Sequence, residues 1–276
     1  MGISCSCQGR ISKVGAVSTH PTAGTTMLQR RVILTPTDQS AAQKLKDFYE
    51  EERKFIPKKI DVYYQSVLSN QTEAVTSIVV KVSHLGPTGV EYLCRVLPFF
   101  PQLLELRLWK VGLDPASVDR LAYYLPFLKQ LHVLSLEDNN LNDEAVENIC
   151  KGFKTMRSLQ QLWLGNNLIT PVGTACIASS LRLLGQLETL SLDYNCIESL
   201  GCTLLCTVLC ETKRLQRLSI EYCEVGDEAI SHLICLAQVN APEHLINLKN
   251  NRLSRKGCTK LESALGLEHV DLSHQL

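Results

Sequence analysis

The chain has 276 residues, 45% of them apolar, which is enough for a sizeable core, and no stretch has the 18 or more uninterrupted apolar residues of a membrane-spanning helix. Lysine plus arginine equal aspartate plus glutamate at 28 each, so the chain lacks the net field that draws a protein to a phosphate backbone, and nucleic acid is not an expected partner. Twelve cysteines would suggest disulfides in a small secreted protein, but no charged segment followed by an apolar stretch opens the sequence, which predicts a reducing, cytosolic setting.

Residues 1 to 37 hold no acidic residue, four basic ones (Arg10, Lys13, Arg30, Arg31) and many serines, threonines and glycines. Such a composition cannot bury enough surface to fold, so residues 1–39 are expected to form a disordered basic tail. It starts Met-Gly-Ile-Ser-Cys-Ser-Cys, which fits N-myristoylation at Gly2 with Ser6 at the favoured position. One acyl chain binds a membrane only marginally, and palmitate on Cys5 or Cys7 would supply the second anchor. Arg10 and Lys13 would add attraction to an anionic inner leaflet. Residues 40–74 read as a helical cap, opened by a capping box of Ser40 and Gln43 and broken near Pro57.

From Val75 the pattern LxxLxLxxNxL recurs every 28 residues, starting at Val75, Leu103, Leu131, Leu159, Leu187, Leu215 and, with a poor first position, Glu243. Positions 4 and 6 of each unit are aliphatic, such as Leu134 and Leu136, and alternation at period two marks a short strand with one buried face. Position 9 is asparagine at Asn139, Asn167, Asn195 and Asn251, where the chain leaves the strand and buried backbone groups need both a donor and an acceptor. Ser83 and Cys223 fill that position only partly and Val111 not at all, which predicts a looser turn in the second unit. Position 12 (Asp114, Asn142, Thr170 and Ser254 among others) and the prolines after it (Pro87, Pro115, Pro171) mark helix starts. Apolar residues at positions 19 and 23 give each helix its buried stripe.

Strand then helix in every unit makes a right-handed coil with a parallel sheet on one side, and packed helices need more room than paired strands, so the stack must curve with the sheet inside. The fold class expected is therefore α/β, a curved solenoid over residues 75–276 with a helical N-terminal cap. The 28-residue period and units such as LHVLSLEDNNLNDEAVENICKGFKTMRS resemble the ribonuclease-inhibitor-like subfamily of leucine-rich repeat proteins. The final segment LEHVDLSHQL repeats the strand pattern without a following helix, so an exposed strand edge is expected there, serving as a dimer surface or marking a truncation.

Cys202, Cys206 and Cys210 fall at i, i+4 and i+8, but position 20 of other units is also cysteine or alanine, so these thiols read as core and not as a metal site. No HExxH, GxSxG, phosphate loop or GxGxxG occurs, so no enzyme, cofactor or small-molecule substrate is expected. Function then falls to the open face of the sheet. Arg107, Trp109, Glu137, Asp138, Trp163, Asp193, Tyr194, Glu221 and Tyr222 lie there by register, an acidic stripe beside both tryptophans of the chain. They predict a protein partner, basic or extended, held by a non-catalytic adaptor tethered to the cytoplasmic face of a membrane. Two other readings follow from resemblance: a regulator of a small GTPase, since Ran GTPase-activating proteins share the repeat type, and a cytoskeletal or ciliary component similar to the repeat domains of tropomodulin or axonemal regulators. The two tryptophans are expected within roughly 10 Å of each other.

Overall fold

Every 28-residue unit lays down one strand and one helix. The computed structural model describes residues 40–212, 214–239, 245–266 and 270–275, all within a unit spanning Leu34–Leu276. Gly2, Cys5 and Cys7 lie outside the described residues. The strands are β1 (Ser77–Lys81), β2 (Glu105–Trp109), β3 (Val133–Ser135), β4 (Gln161–Trp163), β5 (Thr189–Ser191), β6 (Arg217–Ser219), β7 (Leu245–Asn247) and β8 (Val270–Asp271). They form one parallel sheet in strict sequence order. The register follows the repeat: Ile78, Leu106, Leu134, Leu162, Leu190, Leu218 and Ile246 stand opposite one another, and Val270 closes the row.

Two helices, α1 (Ala41–Glu52) and α2 (Lys58–Leu68), precede the sheet. The others follow the strands: α3 (Gly86–Val96), α4 (Pro115–Tyr124), α5 (Asp143–Gly152), α6 (Pro171–Leu181), α7 (Glu198–Thr212), α8 (Ile230–Val239) and α9 (Arg255–Leu265). Position 19 of each unit, Leu93 through Leu261, is sealed from solvent to within 1%, and it meets the strand residues of positions 4 and 6 in one continuous core. Each such side chain contributes about 1.5–3 kcal/mol by leaving water. Paired strands stand about 4.8 Å apart and packed helices about 8–10 Å, so the stack curves with the sheet inside.

The asparagine ladder acts between units. Asn167 Oδ1 accepts from the backbone N–H of Asn139 (3.1 Å) and Leu141 (3.0 Å), both in the preceding unit, while its Nδ2 donates to Leu136 O (3.2 Å) and Leu164 O (2.8 Å). Asn251 does the same for Cys223 and Val225 at 3.0 Å each. The amide of one unit therefore closes the turn of the unit before it. This corrects the expectation for Val111: its own N–H is satisfied by Asn139 Oδ1 at 3.0 Å, and the turns that lack an amide are those of the first unit, opposite Val111, and the fifth, opposite Cys223. In the first, Ser83 N donates to Lys110 O and Leu85 N to Val111 O, both at 3.2 Å. Cys223 keeps the donor half of the role, its thiol reaching Leu192 O at 3.2 Å, and burial pushes that thiol well up.

Two periodic features escape a reading of hydropathy. Position 8 is left-handed in every unit, at Val82, Lys110, Asp138, Asn166, Tyr194, Tyr222 and Asn250, with φ between 44° and 61°. Position 15 is small (Gly89, Ser117, Ala145, Gly173, Gly201, Ala229, Gly257), because neighbouring units approach closely there. A Cβ on Gly173 would collide with the Asp143 carboxylate, which itself accepts from Thr170 N at 2.9 Å.

Four helix starts follow the expected caps: Asp114, Asn142, Thr170 and Ser254 accept from Ser117, Ala145, Val172 and Gly257 N–H groups at 2.8–3.2 Å, whereas Gly86 and Glu198 are the first residues of α3 and α7. Ser40 does not, since its side chain makes no cap bond and Gln43 turns instead to Asp47 at 2.7 Å. The break at Pro57 falls between α1 and α2 as expected. Together these helices cover the first unit, with Tyr64 fully buried and its hydroxyl on Tyr92 O at 3.0 Å.

Candidate functional site

Positions 5 and 7 point away from the core, onto the open face of the sheet. Successive strands align Arg107, Ser135, Trp163, Ser191, Ser219 and Asn247 in one row across it. Trp163 thus stands between two serines that are only 1% exposed, covered on a solvent-facing surface by the larger side chains around them. Trp109 belongs to the next row, opposite Lys81, and is 39% exposed. The residue facing Trp163 two strands away is Arg107, not Trp109. Their backbone positions are therefore offset by two strands and two residues, about 12 Å for ideal sheet spacing, where strand steps alone give roughly 10 Å.

The acidic residues converge with fixed geometry. Ser135 Oγ donates to Glu137 Oε2 (2.9 Å) and Ser191 Oγ to Asp193 Oδ2 (3.0 Å), while Asp193 Oδ1 also accepts from Glu221 N (2.7 Å). Glu221 receives Asn250 Nδ2 on Oε1 (3.0 Å) and Asn247 Nδ2 on Oε2 (3.1 Å). Asp138 is held by Asn166 Nδ2 at 2.9 Å and by Lys110 at 3.3 Å. Glu137, Asp193 and Glu221 are thus oriented by neutral donors, and among the described residues none of the three forms an ion pair. Gly165 leaves room for this: a Cβ there would meet Glu137 Oε1 and Asp193 O, each at 3.4 Å.

Tyr194 and Tyr222, left-handed position-8 residues of adjacent units, stack with ring centroids 5.4 Å apart and planes 12° from parallel. The Tyr194 hydroxyl donates to Glu221 Oε1 at 3.2 Å. Burial, then the Glu221 charge, raise that phenol above its ordinary range. Arg107 is paired with Glu105 on its own strand, and Ser77 Oγ donates to the same carboxylate at 2.6 Å. The Ser77 bond, then the Arg107 bond, hold Glu105 below the usual carboxylate range. Basic groups sit at the ends of the face: Lys81, Arg107 and Lys110 at one, Arg217 and Lys249 at the other. The face is acidic in its middle and basic at its edges, a pattern finer than the single acidic stripe read from the sequence.

Of the three cysteines expected in the core, Cys202 and Cys206 are buried there and Cys210 is half-buried at its edge. Cys202 and Cys206 are fully buried with sulfurs 4.0 Å apart, and the hydrogen bond to Cys202 followed by burial pushes the Cys206 thiol up. Among the described residues no group of His, Cys, Asp or Glu is arranged to hold a metal ion, and no helix is long and apolar enough to cross a membrane.

A family model described as Leucine Rich repeat matches residues 129–150, the end of the second unit and most of the third. No curated protein matches the chain. Among solved structures it is similar to an internalin C2 from Listeria monocytogenes (21% identity over 74% of this chain and 83% of that one, TM-score 0.44). It is also similar to the Caenorhabditis elegans tropomodulin C-terminal domain (12% identity, 75% and 90% covered, TM-score 0.41). A third is the leucine-rich repeat ectodomain of the Arabidopsis receptor kinase HAESA, solved with a peptide hormone ligand (19% identity, 71% and 34% covered, TM-score 0.40). At such scores the fold rests on the chain's own geometry. With eight parallel strands in sequence order among the described residues, an amide ladder at 28-residue spacing and the matched repeat, this chain is a leucine-rich repeat solenoid.

Proposed function

We propose that this chain is a non-catalytic scaffold that binds a basic or extended segment of a protein partner on the open face of its sheet. The observation that carries the reading is the set of three carboxylates, Glu137, Asp193 and Glu221, fixed by neutral donors and left without cationic partners among the described residues. Holding like charges together costs free energy that the fold does not require, and a cationic partner would recover it. Trp109, Trp163 and the tyrosine stack supply the large rigid surfaces that anchor interfaces. In this reading Arg107 and Asp138 border the contact.

The scaffold is proposed to sit on the cytoplasmic face of a membrane, through myristate on Gly2 and palmitate on Cys5 or Cys7; support for this comes from the sequence motif alone. Fractionation of cells expressing Gly2→Ala tests it, since retention of that variant in the membrane fraction excludes acyl anchoring. For the partner site, Trp109→Ala and Trp163→Ala, alone and together, are compared with the parent chain in affinity capture from its native cells. Folding of each variant is first verified by circular dichroism. Loss of captured partners by at least tenfold in the double variant is expected, and unchanged recovery would reject the open face as the binding surface.

A further inference from the structure

Beyond the open face, one rim carries exposed aliphatic side chains. Leu168 is 57% exposed, Val172 66% and Leu200 60%, at positions 10 and 14 of the fourth and fifth units. The repeat has no need of them. Elsewhere position 10 is His84, Gly112, Asn140, Glu224 or Arg252, and position 14 is Thr88, Ala116, Glu144, Glu228 or Lys256. Equivalent positions of adjacent units are in reach of each other: Glu224 and Arg252, both at position 10, pair at 3.2 Å. Leu168 N donates to Leu141 O and Cys196 N to Ile169 O, so these loops stack as tightly as the strands do. By this register the three aliphatic residues fall at neighbouring positions of one rim, and position 8 of the same loops, where Tyr194 and Tyr222 stack, lies between them and the strands.

Charge selects the occupant. Over positions 7 to 14 of units three to six (residues 137–144, 165–172, 193–200 and 221–228) there are ten acidic residues and no lysine, arginine or histidine. Glu198, two residues before Leu200, is exposed, as are Glu144 and Glu228 at position 14 of the third and sixth units, while Glu224 is paired with Arg252. An anionic lipid surface would be repelled by this field. We infer that the rim formed by Leu168, Val172, Leu200 and Tyr194 docks an amphipathic segment of a protein partner, apolar on one face and rich in lysine or arginine beside it. This deepens the protein-binding reading, on which it rests, but it uses residues other than the tryptophans.

The test is fluorescence anisotropy with the full chain and a labelled leucine–lysine peptide of about 18 residues, its leucines at helical spacing. Saturable binding is expected, weakened about tenfold or more by Leu168→Ser, Val172→Ser and Leu200→Ser together, and less than about twofold by the paired tryptophan variants. Glu144→Gln, Glu198→Gln and Glu228→Gln together should weaken binding and flatten its dependence on salt. Because Leu168, Val172, Leu200 and the three glutamates are exposed, unchanged thermal melting should accompany the serine and glutamine variants. Absence of saturable binding, or full binding by the serine variant, overturns the inference. So does a tryptophan pair that loses as much as the serine variant. A failed open-face reading shows itself separately, as native partners that ignore the tryptophan variants.

Discussion

Asn167 accepts, through its side-chain oxygen, the backbone N–H of Asn139 at 3.1 Å, one whole repeat away. The same amide reaches Leu141 N, Leu136 O and Leu164 O, so it satisfies four buried backbone groups in two units. Replacing it with leucine, of similar size, strands three of them, Asn139 N, Leu141 N and Leu136 O, at about 1–3 kcal/mol each, partly offset by apolar burial, while Leu164 O keeps Asn195 Nδ2 at 3.0 Å. Asn167→Leu is expected to cost about 3 kcal/mol or more in urea unfolding, and a loss below about 1 kcal/mol would show that the ladder is not a principal tie between units.

Val82 stands at φ 44°, where a β-branched residue is strained, and it is 60% exposed with little packing to lose. Left-handed backbone costs roughly 1–2 kcal/mol for an ordinary residue and less for asparagine, which fills the same position at Asn166 and Asn250. Val82→Asn should therefore raise stability by about 1 kcal/mol, visible as a higher melting temperature. A lower one would contradict the assigned strain.

Stability in a solenoid sums over units and their interfaces, so phase matters more than length. Deleting residues 159–186 removes one whole unit and brings Asn195 into the place Asn167 held beside Asn139. Deleting residues 159–172 removes half a unit and sets the ladder out of register. The first variant is expected to unfold cooperatively and the second to lose cooperative unfolding; equal melting of the two would refute the 28-residue phase.

Burial, followed by the Cys235 interaction, pushes the Cys210 thiol up to about 11, and burial pushes Cys150 up to about 12. Thiols with raised values are protonated at neutral pH, and reactivity emerges only as pH rises toward those values. Alkylation of Cys210 at pH 7.5 is expected roughly tenfold or more slower than that of a free cysteine, since its lost thiolate outweighs the gain in intrinsic nucleophilicity. Mass spectrometry of a timed iodoacetamide reaction measures this, and labelling of Cys210 at the free-thiol rate would disprove it.

Much of the fold is legible because positions 4, 6 and 19 answer to a single demand, burial, which hydropathy reports directly. Position 9 is legible by residue type, yet its direction is not: nothing in the sequence says that Asn139 serves Val111 rather than its own turn. The left-handed position 8 left a trace in Asp138, Asn166 and Asn250, obscured by Val82, Tyr194 and Tyr222. For the candidate site, register places Trp109, Trp163 and the acids on the open face. It does not report which long side chains turn toward one another, and so misses Glu221 as the centre of a hydrogen-bond cluster. The Leu168, Val172 and Leu200 patch escaped because scattered exposed aliphatic residues are ordinary until their adjacency is known.

Where the partner touches the chain can be measured directly by placing a photoreactive benzoylphenylalanine at Trp163, on the open face of β4, and in a second variant at Ser179, exposed on α6. After irradiation in native cells, the same partner should be recovered covalently from the Trp163 variant, in an amount reduced by high salt before irradiation, and not from the Ser179 variant. Recovery from Ser179 alone would place the partner on the helices and contradict the account.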